Sequence, residues 1–239
     1  MTLLAIVLAA LQSAPPTLPF KVGELFEYGA KFGVLNVGSA SIGIPSVDTV
    51  LGDPAYHFRF TLEGGALFFK INSSLDSWTR TRDFHSVRFR RDSKENSRHY
   101  IRAWEIRGDS GYYRQTEPEV QPQAPTPSDP LDDASFLYFV RTTPLEVGKT
   151  YEFRRYFRGD RNPITITVLK RETMELPDGS KVPCLVLNPV IGETGLFAKR
   201  AEARLWLTDD ARRIPVQIRS RYSFGEITLK LQRIGQTGS

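Results

Sequence analysis

The residues with the most scope for catalysis are three histidines and one serine in a Gly-Asp-Ser-Gly sequence. None of His57, His85 and His99 stands at the spacing of a metal-binding pair such as H-x-H or H-E-x-x-H. A catalytic serine at Ser110 would need a histidine and an acid beside it, whereas a turn between two strands needs the residue types found at 108–111. We therefore expect strand histidines, a turn at 108–111 and no enzyme activity.

The remaining candidate groups are one cysteine and two pairs of adjacent carboxylates. Because Cys184 is the single cysteine, an internal disulfide and a zinc site built from cysteines are both excluded. Its apolar surroundings favour a buried, small hydrophobic side chain. Neighbouring carboxylates at 132–133 and 209–210 point in different directions in any regular element, which argues against an acid/base couple. We expect no metal and no cofactor.

The charge pattern argues against a nucleic-acid partner. Lys and Arg total 32 against 27 Asp and Glu, a net charge of +5. The densest basic stretch, residues 88–107, carries no helix-turn-helix, zinc-finger or RNA-binding signature. We interpret it as solvated strand faces, with an anionic envelope partner as the alternative.

Alternation of polar and apolar residues along most of the chain predicts half-buried β-strands. At 56–63, for example, aromatic and leucine side chains hold the even positions and polar side chains the odd ones. Turn-forming sequences such as those at 52–54 and 177–179 separate these runs. About twelve strands are indicated, more than the roughly ten at which open sheets curl or split. The predicted fold class is all-β, with one large antiparallel curved sheet or an incomplete β-barrel.

One segment breaks the strand pattern. Residues 116–130 hold five prolines and predict a mobile or polyproline-like loop. The loop ends in Asp129 and Pro130, residue types suited to a helix N-cap and first helical position. Residues 131–141 predict a helix that ends before Pro144. Because it is apolar nearly all round, we expect it to be buried, against the concave face of the sheet or in its mouth.

The N-terminus predicts export. The apolar run at residues 3–11 is shorter than the roughly 20 residues that span a bilayer and has the length of the apolar part of a secretory signal. We expect residues 1–14 to be a signal peptide and residues 15–239 to form a single all-β domain, periplasmic or secreted and monomeric. We expect that the chain is not a lipoprotein, because no cysteine stands directly after the apolar run.

Several short motifs, in order, resemble the bacterial envelope family named domain of unknown function 3108. They stand at residues 20–28, 37–40, 75–78, 129–141, 145–149, 205–216 and 225–229. The best match is Leu-Trp-Leu-Thr-Asp-Asp-Ala-Arg-Arg-Ile-Pro-Val at 205–216. The resemblance implies an exported all-β envelope protein with no assigned activity and no catalytic residues. By analogy, the expected architecture is also similar to lipoprotein-carrier proteins, which are incomplete barrels with helices across the opening.

Aromatic residues make up 11% of the chain, more than a thin sheet needs. They could line a pocket for an acyl chain or fill an ordinary aromatic core. We favour a non-catalytic envelope protein that binds a lipid or a lipoprotein acyl chain. The alternatives are a structural or assembly protein that contacts an envelope partner through its surface and, third, an envelope hydrolase. The candidate groove residues are Phe58, Phe60, Phe69, Trp78, Leu137, Tyr138 and Trp206, and the candidate head-group residues are Arg80, Arg82 and Arg141.

Overall fold

The structure is a computed structural model that describes residues 18–66, 69–223 and 225–237. The side chains of Ala66 and Phe69 are outside this description. The expected signal peptide, residues 1–14, also lies outside the described residues. Within them, no helix is long and apolar enough to cross a membrane.

Fourteen strands form one antiparallel sheet in the described part of the chain. The strands are β1 (Glu24–Phe32), β2 (Leu35–Val50), β3 (Asp53–Ala66), β4 (Phe69–Arg80), β5 (Ser86–Glu95), β6 (Arg98–Arg107), β7 (Tyr112–Glu117), β8 (Ala124–Pro125), β9 (Thr150–Phe153), β10 (Ile164–Glu175), β11 (Lys181–Ile191), β12 (Arg204–Thr208), β13 (Pro215–Tyr222) and β14 (Gly225–Gln236). The all-β prediction is confirmed. The strand number exceeds the expected twelve by two, and β8 and β9 at the sheet edges are short.

The strand order is β8-β7-β6-β5-β4-β3-β2-β1-β14-β13-β12-β11-β10-β9. The first and last strands therefore pair in the middle of the sheet, and both edges come from the middle of the chain. Register shifts interrupt several ladders, for example between Gly43 and Ser46 in β2 and between Val168 and Lys170 in β10. Such bulges bend a strand and increase its twist, which curves the sheet into an open barrel.

The gap between edge strands β8 and β9 is bridged by the loops that follow them. Leu131 forms a parallel bridge with Tyr156, and the Leu131 amide donates to the Arg155 carbonyl at 2.6 Å. The Thr126 hydroxyl donates to the Phe157 carbonyl at 2.8 Å. The proline-rich segment thus runs from β7 across the gap, and the prediction of an incomplete barrel is confirmed.

The helix α1 (Asp133–Thr142) begins two residues later than expected. Its N-cap is Asp132 and not Asp129, because the bridge to Tyr156 holds Leu131 in an extended conformation. The Asp132 carboxylate accepts from the Ala134 and Ser135 amides, and the Ser135 hydroxyl accepts from the Asp132 amide. This capping box satisfies donors that a helix start leaves unpaired.

Helix α1 lies on one face of the sheet, here called the inner face, and is buried on most sides as expected. The Tyr138 ring stacks on Phe58 of β3 at 4.0 Å between centroids. Phe136 meets Phe197 edge to face on the opposite side. Three short 3₁₀ turns complete the structure, at Gly108–Ser110, Gly159–Arg161 and Lys199–Ala201, and the first confirms the turn expected at 108–111.

Candidate functional site

An apolar pocket of about 230 Å³ lies between α1 and the inner face of the sheet. It reaches from β3 and β4 on one side to β13 and β14 on the other. Its lining residues are Phe60, Leu62, Ile71, Ser73, Leu75, Arg91, Asp133, Leu137, Gly195, Leu196, Phe197, Tyr222, Ile227 and Leu229. Its volume is slightly below the roughly 300 Å³ at which typical small-molecule sites begin.

Strand alternation explains the apolar lining. Phe58, Phe60 and Leu62 take alternate positions of β3, so their side chains point to the same face. Phe60 lies opposite Leu75 in the antiparallel register, which adds β4 to the same wall. Leu137 closes the pocket from the helix. Of the expected groove residues, Phe60 and Leu137 line the pocket, while Phe58 and Tyr138 form the packed wall beside it.

The one carboxylate in the pocket lining is paired. Asp133 lies 3.0 Å from Arg161, whose side chain is nine-tenths buried. Arg161 also donates to the carbonyls of Ile191 at 3.2 Å and Thr194 at 2.9 Å. This network neutralises Asp133 and holds the loop after β11 against the start of α1.

A second buried carboxylate fixes the helix to the sheet. The Ser77 hydroxyl of β4 donates to Asp132 at 2.6 Å, and the Ser86 hydroxyl of β5 donates to Ser135 at 2.9 Å. Burial raises the pKa of Asp132 to about 6, against the opposing effect of the hydrogen bonds from Ser135 and Ser77. The cluster is a structural anchor for α1 that the sequence pattern did not reveal.

Two of the expected groove residues lie on the outer face of the sheet. Trp78 stacks on His57 at 4.6 Å between centroids and donates to Asp48 at 2.7 Å. Trp206 lies opposite Gln217, with the Arg219 guanidinium 5.2 Å from its ring centroid. These placements correct the expectation for both tryptophans, because neighbouring strand positions alternate between faces.

The seventh expected groove residue, Phe69, is the first residue of β4. Its side chain falls outside the described part of the structure. Its place in the groove therefore stays a prediction.

The most buried histidine, His57, also lies on the outer face. His57 is bonded to Asp76 at 2.7 Å, and Arg59 donates to the same carboxylate at 2.6 Å. Burial acts to raise the pKa of Asp76, but the hydrogen bonds from His57 and Arg59 hold it below its usual range. The expectation of strand histidines holds for His57 in β3 and His99 in β6, whereas His85 lies just before β5. The sequence pattern missed Asp76, because the register of two strands decides which residues meet.

Of the three expected head-group arginines, two are buried in ion pairs. Arg80 lies 2.7 Å from Asp83 and also pairs with Asp109. Arg141 donates to Glu24, with its side chain only 1% exposed. Both placements correct the expectation, because these guanidinium groups already hold carboxylates. The Arg82 side chain is 61% exposed and is therefore accessible to a head group, so its role stays a prediction.

Two arginines of the basic stretch lie on the inner face of the sheet, and both are exposed to solvent as the sequence pattern predicts. Arg91 of β5 lies opposite Leu75 of β4 and opposite Arg102 of β6. Both line a hollow of about 270 Å³, and Arg91 also lines the apolar pocket. Arg91 shares a face with Phe89, and the burial of Phe89 in the structure shows that this face is the inner one.

Comparisons with known proteins identify a family and a fold. The family model described as "Protein of unknown function (DUF3108)" matches residues 27–232. No curated protein matches the sequence.

Two solved structures match most of the chain. The crystal structure of a beta-barrel-like protein of domain of unknown function DUF1849 from Brucella abortus shares 9% identity, with a TM-score of 0.56, covering 91% of this chain and 98% of that one. A protein described as a "putative lipoprotein" from Parabacteroides distasonis shares 9% identity, with a TM-score of 0.32, covering 91% and 97%. At 9% identity, the first likeness shows a shared barrel-like fold and nothing of function.

Proposed function

The chain belongs to the DUF3108 family of proteins of unknown function, and we propose that this member is a non-catalytic cell-envelope protein that holds the acyl chain of a lipid or other amphiphile. The proposed site is the pocket between α1 and the inner face of the sheet. Its proposed place is the periplasm or the cell exterior, after removal of residues 1–14.

The observation that carries the proposal is the unfilled apolar pocket itself. Protein interiors are close-packed, and voids larger than a water molecule are few. Phe60, Leu137 and Leu229 pack into the core on their other sides, and a pocket of about 230 Å³ leaves them without a packing partner on the side that faces it. An acyl chain would supply those partners and remove the apolar lining from water, at roughly 25 cal/mol for each Å² buried.

The polar clusters support a non-catalytic function. The hydrogen bonds of His57 and Asp76 run to Arg59 and Ser74 of the same outer-face cluster, away from the pocket. The Asp132 carboxylate is occupied by helix amides and the Ser77 hydroxyl. We interpret both clusters as structural, because their groups are satisfied within the protein.

Lipid analysis of protein purified from its native envelope tests the proposal. Extraction followed by mass spectrometry is expected to recover about one acyl-bearing molecule per chain, the occupancy of a single enclosed site. The variants Leu62→Trp and Ile227→Phe fill the pocket and are expected to lose the bound lipid. Leu169→Trp changes an exposed position and is expected to retain the lipid. Folded protein that is free of lipid, or equal lipid in all variants, would overturn the proposal.

A second candidate is an assembly protein that acts through surface contacts. Strand β9 lies at one end of the sheet order, and an edge strand offers unpaired backbone groups to another chain. A reproducible envelope partner recovered with lipid-free protein would favour this candidate over the first.

A further inference from the structure

Arg91 and Arg102 face each other across β5 and β6. Side chains of directly opposed residues leave the same face of a sheet with their Cβ atoms about 5 Å apart, and like charges in this arrangement destabilise the pairing. Arg90, the neighbour of Arg91 in β5, pairs with Asp92 at 3.0 Å. In the described part of the chain, neither Arg91 nor Arg102 lies within ion-pair distance of a carboxylate.

The pair stands where the apolar pocket opens into wider, more polar space. Arg91 lines both the 230 Å³ pocket and the 270 Å³ hollow. Arg102 lines that hollow and a third concavity of about 580 Å³, bounded on its far side by the loop at 158–160. A molecule with its chain in the pocket would therefore bring its head to the two guanidinium groups.

The other polar groups of the hollow are two hydroxyl groups and one carboxylate. Ser93 and Tyr100 are opposed in the next inward pair along the strands, and the Ser93 hydroxyl donates to the Glu95 carboxylate at 3.5 Å. Glu95 is four residues from Arg91, about 13 Å along an extended strand, and lies opposite Arg98. The Glu95 carboxylate thus approaches Ser93 from the side that faces away from the Arg91–Arg102 pair.

We propose that Arg91 and Arg102 form the head-group site for a single-chain anionic amphiphile, with a phosphate or carboxylate head on the pair and the acyl chain in the adjoining pocket. Two guanidinium groups present planar forks of N–H donors that suit either head. A bound anion would also relieve the repulsion between the two arginines. This inference rests on the proposed acyl-chain binding.

Binding of four probes to the mature protein tests the head-group site separately from the proposed acyl-chain binding. The probes are decyl phosphate, decanoate, the neutral alcohol decanol and inorganic phosphate, measured by calorimetry at low salt because screening weakens exposed charge contacts. We expect both anionic amphiphiles to bind about tenfold or more tightly than decanol. In Arg91→Gln and Arg102→Gln this preference is expected to disappear. Decanol binding is expected to be unchanged in Arg102→Gln, because Arg102 lines the hollow and not the apolar pocket.

Arg90→Gln is the matched control, since Arg90 is next to Arg91 in β5 but points to the outer face. It is expected to bind all four probes like the wild type. The two test variants are also expected to unfold at a slightly higher temperature than wild type without ligand, because a like-charge contact is removed.

The outcomes are distinct. Equal affinity of the wild type for decanol and the anionic amphiphiles would overturn the head-group site and leave acyl-chain binding intact. Binding of inorganic phosphate as tightly as decyl phosphate would overturn it too, because the chain would then add nothing. Failure of every amphiphile to bind would overturn the proposed function and this inference together.

Discussion

Arg141, near the end of α1, donates two hydrogen bonds to the Glu24 carboxylate of β1, at 2.5 Å and 2.9 Å. The same guanidinium donates to the carbonyl groups of Pro19 and Arg212 and lies 5.7 Å from the Phe20 ring centroid. One side chain therefore ties the helix to the first strand and to the β12–β13 turn. The helix that covers the pocket is held at its C-terminal end by this contact.

Arg141→Met is expected to destabilise the protein by about 3–5 kcal/mol, because it leaves the Glu24 carboxylate largely buried without its partner. Urea denaturation measures the loss. The control is Arg233→Met, which breaks the exposed pair between Arg233 and Glu27 of β1 and should cost much less, because solvent screens an exposed ion pair. Equal losses in the two variants would contradict the role given to Arg141.

Asp132→Asn is expected to change the pH dependence of stability. Because the pKa of Asp132 is raised to about 6 in the folded protein, its contribution to stability is fully present below the ordinary value of 3.8 and is lost as pH rises through 6. The wild type should therefore gain about 1 kcal/mol relative to the variant between pH 8 and pH 5.

Chemical denaturation of both proteins over this pH range tests the prediction. The difference between their free energies of unfolding removes the contribution of the other carboxylates, which both proteins share. A difference that stays constant with pH, or that grows as pH rises, would show that Asp132 does not titrate as described.

Gly38→Ala is expected to destabilise the β2–β3 pairing by about 1–3 kcal/mol. A Cβ at Gly38 would stand 2.0 Å from the Glu63 carbonyl oxygen, and its φ of +154° also disfavours a side chain. Gly235→Ala in β14, where a Cβ meets no atom within 4 Å, is the control. Thermal unfolding of both is the measurement, and similar melting temperatures would refute the close approach of β2 and β3.

Tryptophan substitutions are expected to locate the ligand relative to the sheet. Trp104 lies on the inner face, beside the third concavity, whereas Trp78 and Trp206 lie on the outer face. Addition of an acyl ligand should change the tryptophan fluorescence of the Trp78→Phe and Trp206→Phe variants as it does in the wild type. The fluorescence of the Trp104→Phe variant should remain nearly unchanged when the ligand is added. A signal that disappears with Trp78 or Trp206 would place the ligand on the other face.

Local patterns in the sequence predicted the strands, the helix and its burial, because strand alternation and helix apolarity are properties of neighbouring residues. These patterns did not predict which residues meet across neighbouring strands, because strand register decides those contacts. Trp78 was placed on the wrong side because the pattern does not say which alternating set points inward when both sets contain large side chains. The Arg141–Glu24 and Arg161–Asp133 pairs join residues far apart in the chain, so only the folded chain shows that these arginines are internal.

The helix start shows a second limit. Asp129 followed by Pro130 has the residue types of a helix N-terminus, but tertiary contacts to Arg155 and Tyr156 keep Leu131 extended. The helix therefore begins at Asp133, behind a different aspartate. Local propensity is a weak guide wherever a long-range contact competes with it.

The most direct test of an acyl chain between α1 and the inner face is the position of a bromine atom at the end of a bound chain. Crystals of the protein with an ω-bromo fatty acid should show the anomalous bromine peak inside the pocket, near Leu62, Leu137 and Leu229. Crystals of Leu62→Trp should lack the peak. A well-ordered wild-type structure with no bromine peak, or with the peak only on the outer face beside Trp78, would contradict the account.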